Sequence, residues 1–379
     1  MKKINMVDLA NQYKPIANKI HDAINNIIEN TSFINGPSVS SFQKNLESYL
    51  EVKHVIPCAN GTDALQVALM SLDLKPGDEI ITVDFTFAST VEVIALLNLT
   101  PILVDVDPDT FNININSLES AITKKSKVII PVHLFGQVAN MEEVMRLAKK
   151  HNLSIIEDTA QAIGANYKFD DGTKKKAGTI GNIGTTSFFP SKNLGAYGDG
   201  GAIFTNDDSL AIKIRGIVNH GMYKRYHHDI VGINSRLDSI QAAILDIKLK
   251  YLDDYNHSRK KSALKYTNLL KNHPNIITPF IAGDEDSHVF HQYTLILKDC
   301  VRDDLVEYLN LNKIPCGVYY PIPLHKQKAY QNKRFNEDDF TTTNRLSKSV
   351  ISLPMHTELD DDQIEFICKK INFFFNRLK

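Results

Sequence analysis

Val55-Ile56-Pro57-Cys58-Ala59-Asn60-Gly61-Thr62-Asp63-Ala64-Leu65 joins a short apolar run, a polar turn and the opening of an amphipathic helix that continues through Leu69 and Leu72. The apolar run predicts a strand, and the spacing of the leucines predicts the helix. The unit recurs. Glu79-Ile80-Ile81-Thr82-Val83, Pro101-Ile102-Leu103-Val104-Asp105, Lys127-Val128-Ile129-Ile130 and Ser154-Ile155-Ile156-Glu157 follow in turn, separated by helix-length stretches, up to about residue 205. Runs that are apolar on both faces predict an α/β fold whose mainly parallel sheet is covered on two sides, with ligands bound beyond the carboxyl ends of the strands.

Upstream, Ile16, Ile20, Ile24, Ile27 and then Val39, Phe42, Leu46, Tyr49 predict two helices within residues 14–51, with Asn35-Gly36-Pro37-Ser38 as the break and Ser38 as the N-cap. Downstream, Leu237, Ile240, Ile244, Ile247 and Tyr251 predict one long helix leading out of the domain. Beyond it, Gln292–Leu297 and Gly317–Tyr320 read as strands, and Ile364, Ile367, Ile371, Phe374 and Leu378 as a closing helix behind Asp360-Asp361-Asp362. The division expected is a large domain over residues 1–245 and a smaller α+β domain over 246–379. Lys168–Lys176 reads as a solvated hairpin or loop.

The 379 residues, 43% hydrophobic and 23% charged, suffice for those two domains. Lys plus Arg number 43 against 44 Asp plus Glu, a formal net charge of −1, so no global basic field favours nucleic acid or an anionic membrane. No apolar run approaches the ~20 residues that span a bilayer, and Asp8, Asn11 and Gln12 interrupt the basic start Met1-Lys2-Lys3 before a signal-peptide core can form. Cys58, Cys300, Cys316 and Cys368 show no CxxC spacing, which argues against zinc and against a disulfide framework. A cytoplasmic protein is expected.

Candidate site residues follow the expected strands. The Asn60–Leu65 turn offers a glycine, free N–H groups and a helix dipole to a phosphate, or is simply a capped turn. Phe87 can stack on a planar ring, or be core. Asp158 can pair with a pyridinium nitrogen, or cap the segment after it. Gln161 can bond a phenolic oxygen, or be an ordinary polar residue. Ser187 can donate to a phosphate. Lys192, in Ser187-Phe188-Phe189-Pro190-Ser191-Lys192-Asn193 and ahead of Gly198-Asp199-Gly200-Gly201, can be a covalent anchor for a carbonyl cofactor, or a solvated lysine. His133 either lines the pocket or is a satisfied core histidine. His227 and His228 are adjacent, so a strand would point them to opposite faces, and no metal site is expected.

Gly61-Thr62-Asp63-Ala64-Leu65, Glu157-Asp158-Thr159-Ala160-Gln161, Ser187–Lys192 and Gly232-Ile233-Asn234-Ser235-Arg236-Leu237-Asp238 stand in the order shown by the DegT/DnrJ/StrS family of nucleotide-sugar aminotransferases, which this chain resembles along nearly its whole length. The resemblance implies an aspartate aminotransferase-like fold (fold type I) and pyridoxal 5'-phosphate, alternating with its pyridoxamine phosphate form. It implies Lys192 as covalent anchor and proton carrier, Asp158 at the ring nitrogen, Gln161 at the phenolic oxygen and Phe87 stacked on the ring. Gly61, Thr62, Asp63 and Ser187 would hold the phosphate. Asn234 would reach the cofactor of a second subunit, making the unit a homodimer. Substrate contacts are expected from Tyr320, His325 and Arg236.

The resemblance further implies a nucleotide-linked keto sugar as acceptor and L-glutamate as amino donor, in a ping-pong reaction. Dehydratase relatives carry His where Lys192 stands. Lys192–Gly201 and Tyr320-Pro321-Ile322-Pro323-Leu324-His325-Lys326 look like the branch that aminates C3 of a 3-keto sugar, whereas C4 aminases more often read Thr-Gly-Glu-Gly-Gly in that glycine loop. Tyr319 departs from the His common in relatives acting on a 3-keto uronic acid, which leaves the C6 group open. The alternatives are a C4 aminotransferase and a non-catalytic sensor on the same fold. A nicotinamide dehydrogenase would need G-x-G-x-x-G, and Gly61 lacks the partner glycines.

Overall fold

The computed structural model describes residues 3–299 and 301–377; Met1, Lys2, Cys300 and Leu378, named above, lie outside them. All five expected strands form: β1 (His54–Cys58), β2 (Glu79–Val83), β3 (Thr100–Val104), β4 (Ser126–Ile130) and β5 (Ser154–Asp158). A hairpin of β6 (Asn166–Lys168) and β7 (Lys174–Lys176) stands apart, and β8 (Ile183–Ser187) and β9 (Gly201–Thr205) complete a seven-stranded sheet in the order β1-β9-β8-β5-β4-β2-β3. Only β9 runs against its neighbours; β2, β3, β4, β5 and β8 pair in parallel.

Successive strand residues point to opposite faces, and both faces are buried. Ile80, Val128 and Ile156 join one core with Leu65, Leu69, Ile94 and Ile214 from the helices on that side. Ile81, Ile129 and Ile155 join the other with Phe85, Val144 and Leu147. A third core lies under the helices Pro37–Leu50 and Ser239–Leu249, where Phe42, Leu46 and Leu245 pack on Val55, Phe188 and Phe204. The apolar runs of the sequence are thus the inner layer of a three-layer sandwich.

Several expectations change in detail. The helix at 37–50 is capped by Gly36 with Pro37 in its first turn, a place where the missing N–H costs nothing; Ser38 instead donates to the Ser239 carbonyl at 2.9 Å. The single long helix is two: Ser239–Leu249 ends, and Leu252–Leu270 begins after Tyr251. A division between residues 245 and 246 therefore falls inside a helix.

After the hairpin of β10 (Met222–Lys224) and β11 (His227–His228), a smaller antiparallel sheet forms from β12 (Ile276–Ile277), β13 (Tyr293–Leu297) and β14 (Val350–Leu353). Its core unites Tyr266, Leu270, Tyr293, Leu295, Leu305, Ile367 and Ile371. Ile4 joins that core as well, so the amino-terminal residues pack with the second half of the chain. The closing helix Asp361–Asn376 starts with a reciprocal cap between Asp360 and Gln363. Gly317–Tyr320 is not a strand: it makes one bridge, Gly317 to Ser352, and a Cβ on Gly317 would lie 2.6 Å from the Tyr319 ring. The chain folds back there, whereas an extended strand holds residues i and i+2 apart.

Candidate active site

Register brings the site together. Ser187 on β8 and Cys58 on β1 both sit opposite Gly201 on β9, so the Asn60–Gly61 turn after β1 lies beside the end of β8. Asp158 on β5 pairs with Thr185 on β8. The segment Asp84–Ser89 leaves β2 at the same edge, because β2 is parallel to β4 and β4 to β5. Four strand ends of like direction, with two helix N-termini, enclose one place.

At that place the helix Gly61–Met70 begins. The Asn60 side chain accepts the Asp63 N–H at 2.8 Å, which leaves the Gly61 and Thr62 N–H groups without an acceptor among the described residues. Asp63 therefore has no free N–H to offer a phosphate; the open donors at the turn belong to Gly61 and Thr62. A Cβ on Gly61 would stand 2.6 Å from Ser187 Cβ, and one on Gly201 2.4 Å from the Asn60 carbonyl. Both positions require glycine, and their reward is a turn whose N–H groups and Ser187 hydroxyl face a shared space. Thr62 Oγ1 donates to Ser89 Oγ at 3.0 Å.

Asp158 is buried. It accepts the Ala160 N–H at 3.1 Å on one oxygen and the Thr90 hydroxyl at 3.0 Å on the other. Burial pushes its carboxyl above the usual carboxylate range, opposed by those two donors and by the Lys192 and His133 charges. Lys192 is partly buried, and burial lowers its amine to about 8 while the Asp158 carboxylate pulls it back up. Its backbone is held in a tight turn, Lys192 N–H to Phe189 carbonyl at 2.8 Å, and the buried Lys248 Nζ donates to the Gly195 carbonyl at 2.5 Å. Next to it, Asn193 donates to Asn256 at 2.7 Å and to the Val289 carbonyl at 3.0 Å, and accepts from His291 at 3.3 Å.

Phe85 is fully buried, whereas Phe87, two residues on, is 58% exposed and tilts toward Tyr320 at 6.3 Å between centroids. Alternation after β2 thus makes Phe85 the core residue and leaves the Phe87 ring open at the site. Gln161 accepts the Phe135 N–H at 2.7 Å and donates to the Tyr320 hydroxyl at 3.2 Å, so Tyr320 is brought to the site.

The other expected residues have varied surroundings. His133 is a satisfied core histidine: its Nδ1 accepts the Ala139 N–H at 3.1 Å and its Nε2 meets Glu157 at 2.9 Å. Glu157, fully buried, also accepts the Gly178, Ile180 and Gly181 N–H groups at 2.6–2.9 Å. His325 is buried against Asp84 at 2.6 Å and stacked on Phe340, its Nε2 3.6 Å from Glu337; it holds the loop to β2 and offers no open face to a substrate. Arg236 is half-buried with no carboxylate partner among the described residues, and Asn234 is exposed; between them the buried Ser235 accepts the Ala59 N–H at 3.1 Å. His227 and His228 are exposed in β11, and among the described residues no group of three or more His, Cys, Asp or Glu is arranged to hold a metal ion.

Ser89, Thr90, Asn193, Lys248 and His291 are further site residues that the motifs do not single out. The first two carry a signal, since they are hydroxyls opening a helix directly after a strand. Asn193 adjoins Lys192 but finds its partners only in distant segments, and Lys248 and His291 reach the site only through folding.

Relatives align with the chain nearly end to end. A pleiotropic regulatory protein of Geobacillus stearothermophilus is 43% identical over 374 residues, 98% of each chain. The UDP-2-acetamido-2-deoxy-3-oxo-D-glucuronate aminotransferase of Pseudomonas aeruginosa is 43% identical over 365 residues, 96% of this chain and 98% of its own. Streptomyces venezuelae DesV, solved in complex with a ketimine intermediate, superposes with a TM-score of 0.93 at 33% identity and 99% coverage of both chains. The sequence pattern of the family itself matches residues 14–372, and this chain belongs to the DegT/DnrJ/EryC1/StrS aminotransferase family.

Proposed function

We propose that this protein is a pyridoxal phosphate-dependent aminotransferase that places an amino group at C3 of a nucleotide-linked 3-keto sugar, with L-glutamate as donor. The observation that carries the reading is Lys192, an amine with a lowered pKa coupled to the buried Asp158 carboxylate, at the strand ends that also present the Gly61 turn. The fit to the cofactor is chemical: a phosphate suits the Gly61 and Thr62 N–H groups and the Ser187 hydroxyl at a helix N-terminus, and an aromatic ring suits the open Phe87 face. A cation such as a pyridinium N–H beside Asp158 offsets the burial that otherwise favours its neutral form. When bound, the cofactor supplies an exchangeable carbonyl and an electron-withdrawing ring.

The chain's own residues then have distinct tasks. An amine with a pKa of about 8 is unprotonated often enough near neutral pH to act as a nucleophile, and protonated often enough to return a proton; Lys192 Nζ does both. Asp158 holds its position through Thr90 and Ala160 and presents negative charge to the ring. Gln161 retains a second N–H beyond the one given to Tyr320, available to a phenolic oxygen.

The reading of C3 rests on the Lys192–Gly201 loop and on the likeness to a relative whose name specifies a 3-oxo sugar. The regulatory name of the other relative does not redirect it, since Lys192 and Asp158 are both present here. We also infer a homodimer with shared sites. Phe189 is more than half exposed in the turn that holds Lys192, and Tyr226 and Val231 stand exposed in and just after the β10–β11 hairpin, apolar surface that a second copy would cover. Free Cys58, Cys316 and Cys368 suit a reducing cytoplasm.

The test is incubation with glutamate and a panel of UDP- and dTDP-linked 3-keto and 4-keto sugars, with the product identified by NMR. A 3-amino product supports the reading. Amination at C4 alone, or turnover of none of the panel by cofactor-loaded protein, overturns it.

A further inference from the structure

Ser89 and Thr90 open the helix Ser89–Leu96, and their hydroxyls reach different ends of the site. Ser89 Oγ accepts from Thr62 at 3.0 Å, at the turn with the free N–H groups. Thr90 Oγ1 donates to Asp158 Oδ2 at 3.0 Å. Thr90 is 1% exposed, and among the described residues Asp158 is the only hydrogen-bond partner of its hydroxyl. A buried hydroxyl costs stability unless it is bonded, so this one is committed to the carboxylate.

Consecutive Cα atoms are held about 3.8 Å apart by the peptide between them, and a β-branched side chain in a helix has few rotamers. The Ser89-Thr90 dipeptide is therefore a short, stiff link between the phosphate-side turn and the Asp158 carboxylate. Ala160 N–H holds the other carboxylate oxygen. Two donors from different elements set the plane of the carboxylate as well as its position. Preorganised charge of this kind is effective only when its orientation is fixed before reaction.

We propose that Thr90 is a positioning residue that holds Asp158 in register with the phosphate-binding turn, through the peptide it shares with Ser89. The inference rests on the reading of Asp158 as partner of the cofactor ring. The titratable groups that act on Asp158 are Lys192 from the loop after β8, His133 from the turn after β4, and Tyr320 from the loop that bonds Gln161; none is altered in the variants below.

Thr90→Val keeps the shape and removes the hydroxyl, while Thr90→Ser keeps the hydroxyl and removes the methyl. Two readouts apply. In cofactor-free protein with 13C-labelled aspartate, the Asp158 resonance is assigned by its loss in Asp158→Asn and followed with pH. Losing a donor to the ionised form moves the Thr90→Val midpoint upward, and Thr90→Ser stays at the wild-type position. In loaded enzyme, kcat of Thr90→Val falls about tenfold, with the donor KM within about twofold, and Thr90→Ser restores it. A Thr90→Val protein that matches wild type in both midpoint and kcat overturns the proposal; if that variant does not fold, Thr90→Ala is held to the same two readouts. Wild-type rates in Asp158→Asn would sink the underlying reading, whereas an inactive Asp158→Asn beside a wild-type Thr90→Val sinks this inference alone.

Discussion

Gly61 and Ser187 meet at the carboxyl ends of β1 and β8 so closely that a Cβ on Gly61 would lie 2.6 Å from Ser187 Cβ and 3.2 Å from Ser187 Cα. The contact is what brings a helix N-terminus and a strand-end hydroxyl to one anion. Gly61→Ala must push the two apart, and a displacement of that order costs on the order of tenfold or more in cofactor affinity. Titration of cofactor-free protein with pyridoxal phosphate measures it.

Lys192→Ala is expected to bind pyridoxal phosphate without a covalent link and to turn over nothing. Borohydride treatment followed by peptide mass spectrometry should label Lys192 in the wild type and no lysine in the variant. Retained transamination would refute both roles assigned to the residue.

Lys192 also bears on stability. Its amine is lowered in the folded chain to about 8 from an ordinary value of 10.5, so between those pH values the unfolded chain binds more protons than the folded one. Stability contributed by this group therefore rises as pH climbs from about 8 to 10.5, and its cost is fully present below that window. In cofactor-free protein, Lys192→Met should melt higher than wild type at pH 7, with the difference narrowing through the window. Calorimetry at a series of pH values checks it; a constant difference would contradict the assignment.

Asp158→Asn keeps the shape but removes the charge. The fold should be retained, with kcat reduced by about a hundredfold or more, since the electrostatic partner of the ring is lost in a dry site. Circular dichroism and steady-state kinetics separate the two effects.

Glu157, one residue before it, is expected to matter for folding instead of chemistry. Its carboxylate satisfies three backbone N–H groups and the His133 ring in full burial. Glu157→Gln replaces an acceptor oxygen with a donor amide facing those donors, at a cost of about 3 kcal/mol in denaturant unfolding.

Much of this was legible in the residue order. Strand positions 55–58, 79–83 and 154–157 are apolar on both faces, and that property alone implies helices above and below and a parallel sheet. Asp158 stands at the end of β5, where residues face the ligand edge, whereas Lys192, in the loop after β8, was singled out by the family resemblance. Residue type also told Phe87 apart from nothing: whether it or Phe85 entered the core depended on the path of the chain after β2, and the structure exposes Phe87. His325 illustrates the opposite outcome. It was expected among the substrate contacts, yet Asp84, 241 residues away, takes it into a buried pair.

The sequence by itself determined the layer architecture and the strand ends where the candidate site residues stand, since both are matters of local pattern, while the family resemblance singled out Lys192 among the lysines. Tertiary structure alone decided the contacts that tune those residues: Thr90 on Asp158, Lys248 on the Gly195 carbonyl, and the Asn193, Asn256 and His291 chain behind Lys192. The physical reason is burial. A buried polar group must find its hydrogen-bond partner wherever the packed chain brings one, and that partner is set by three-dimensional proximity, for which sequence spacing carries no code.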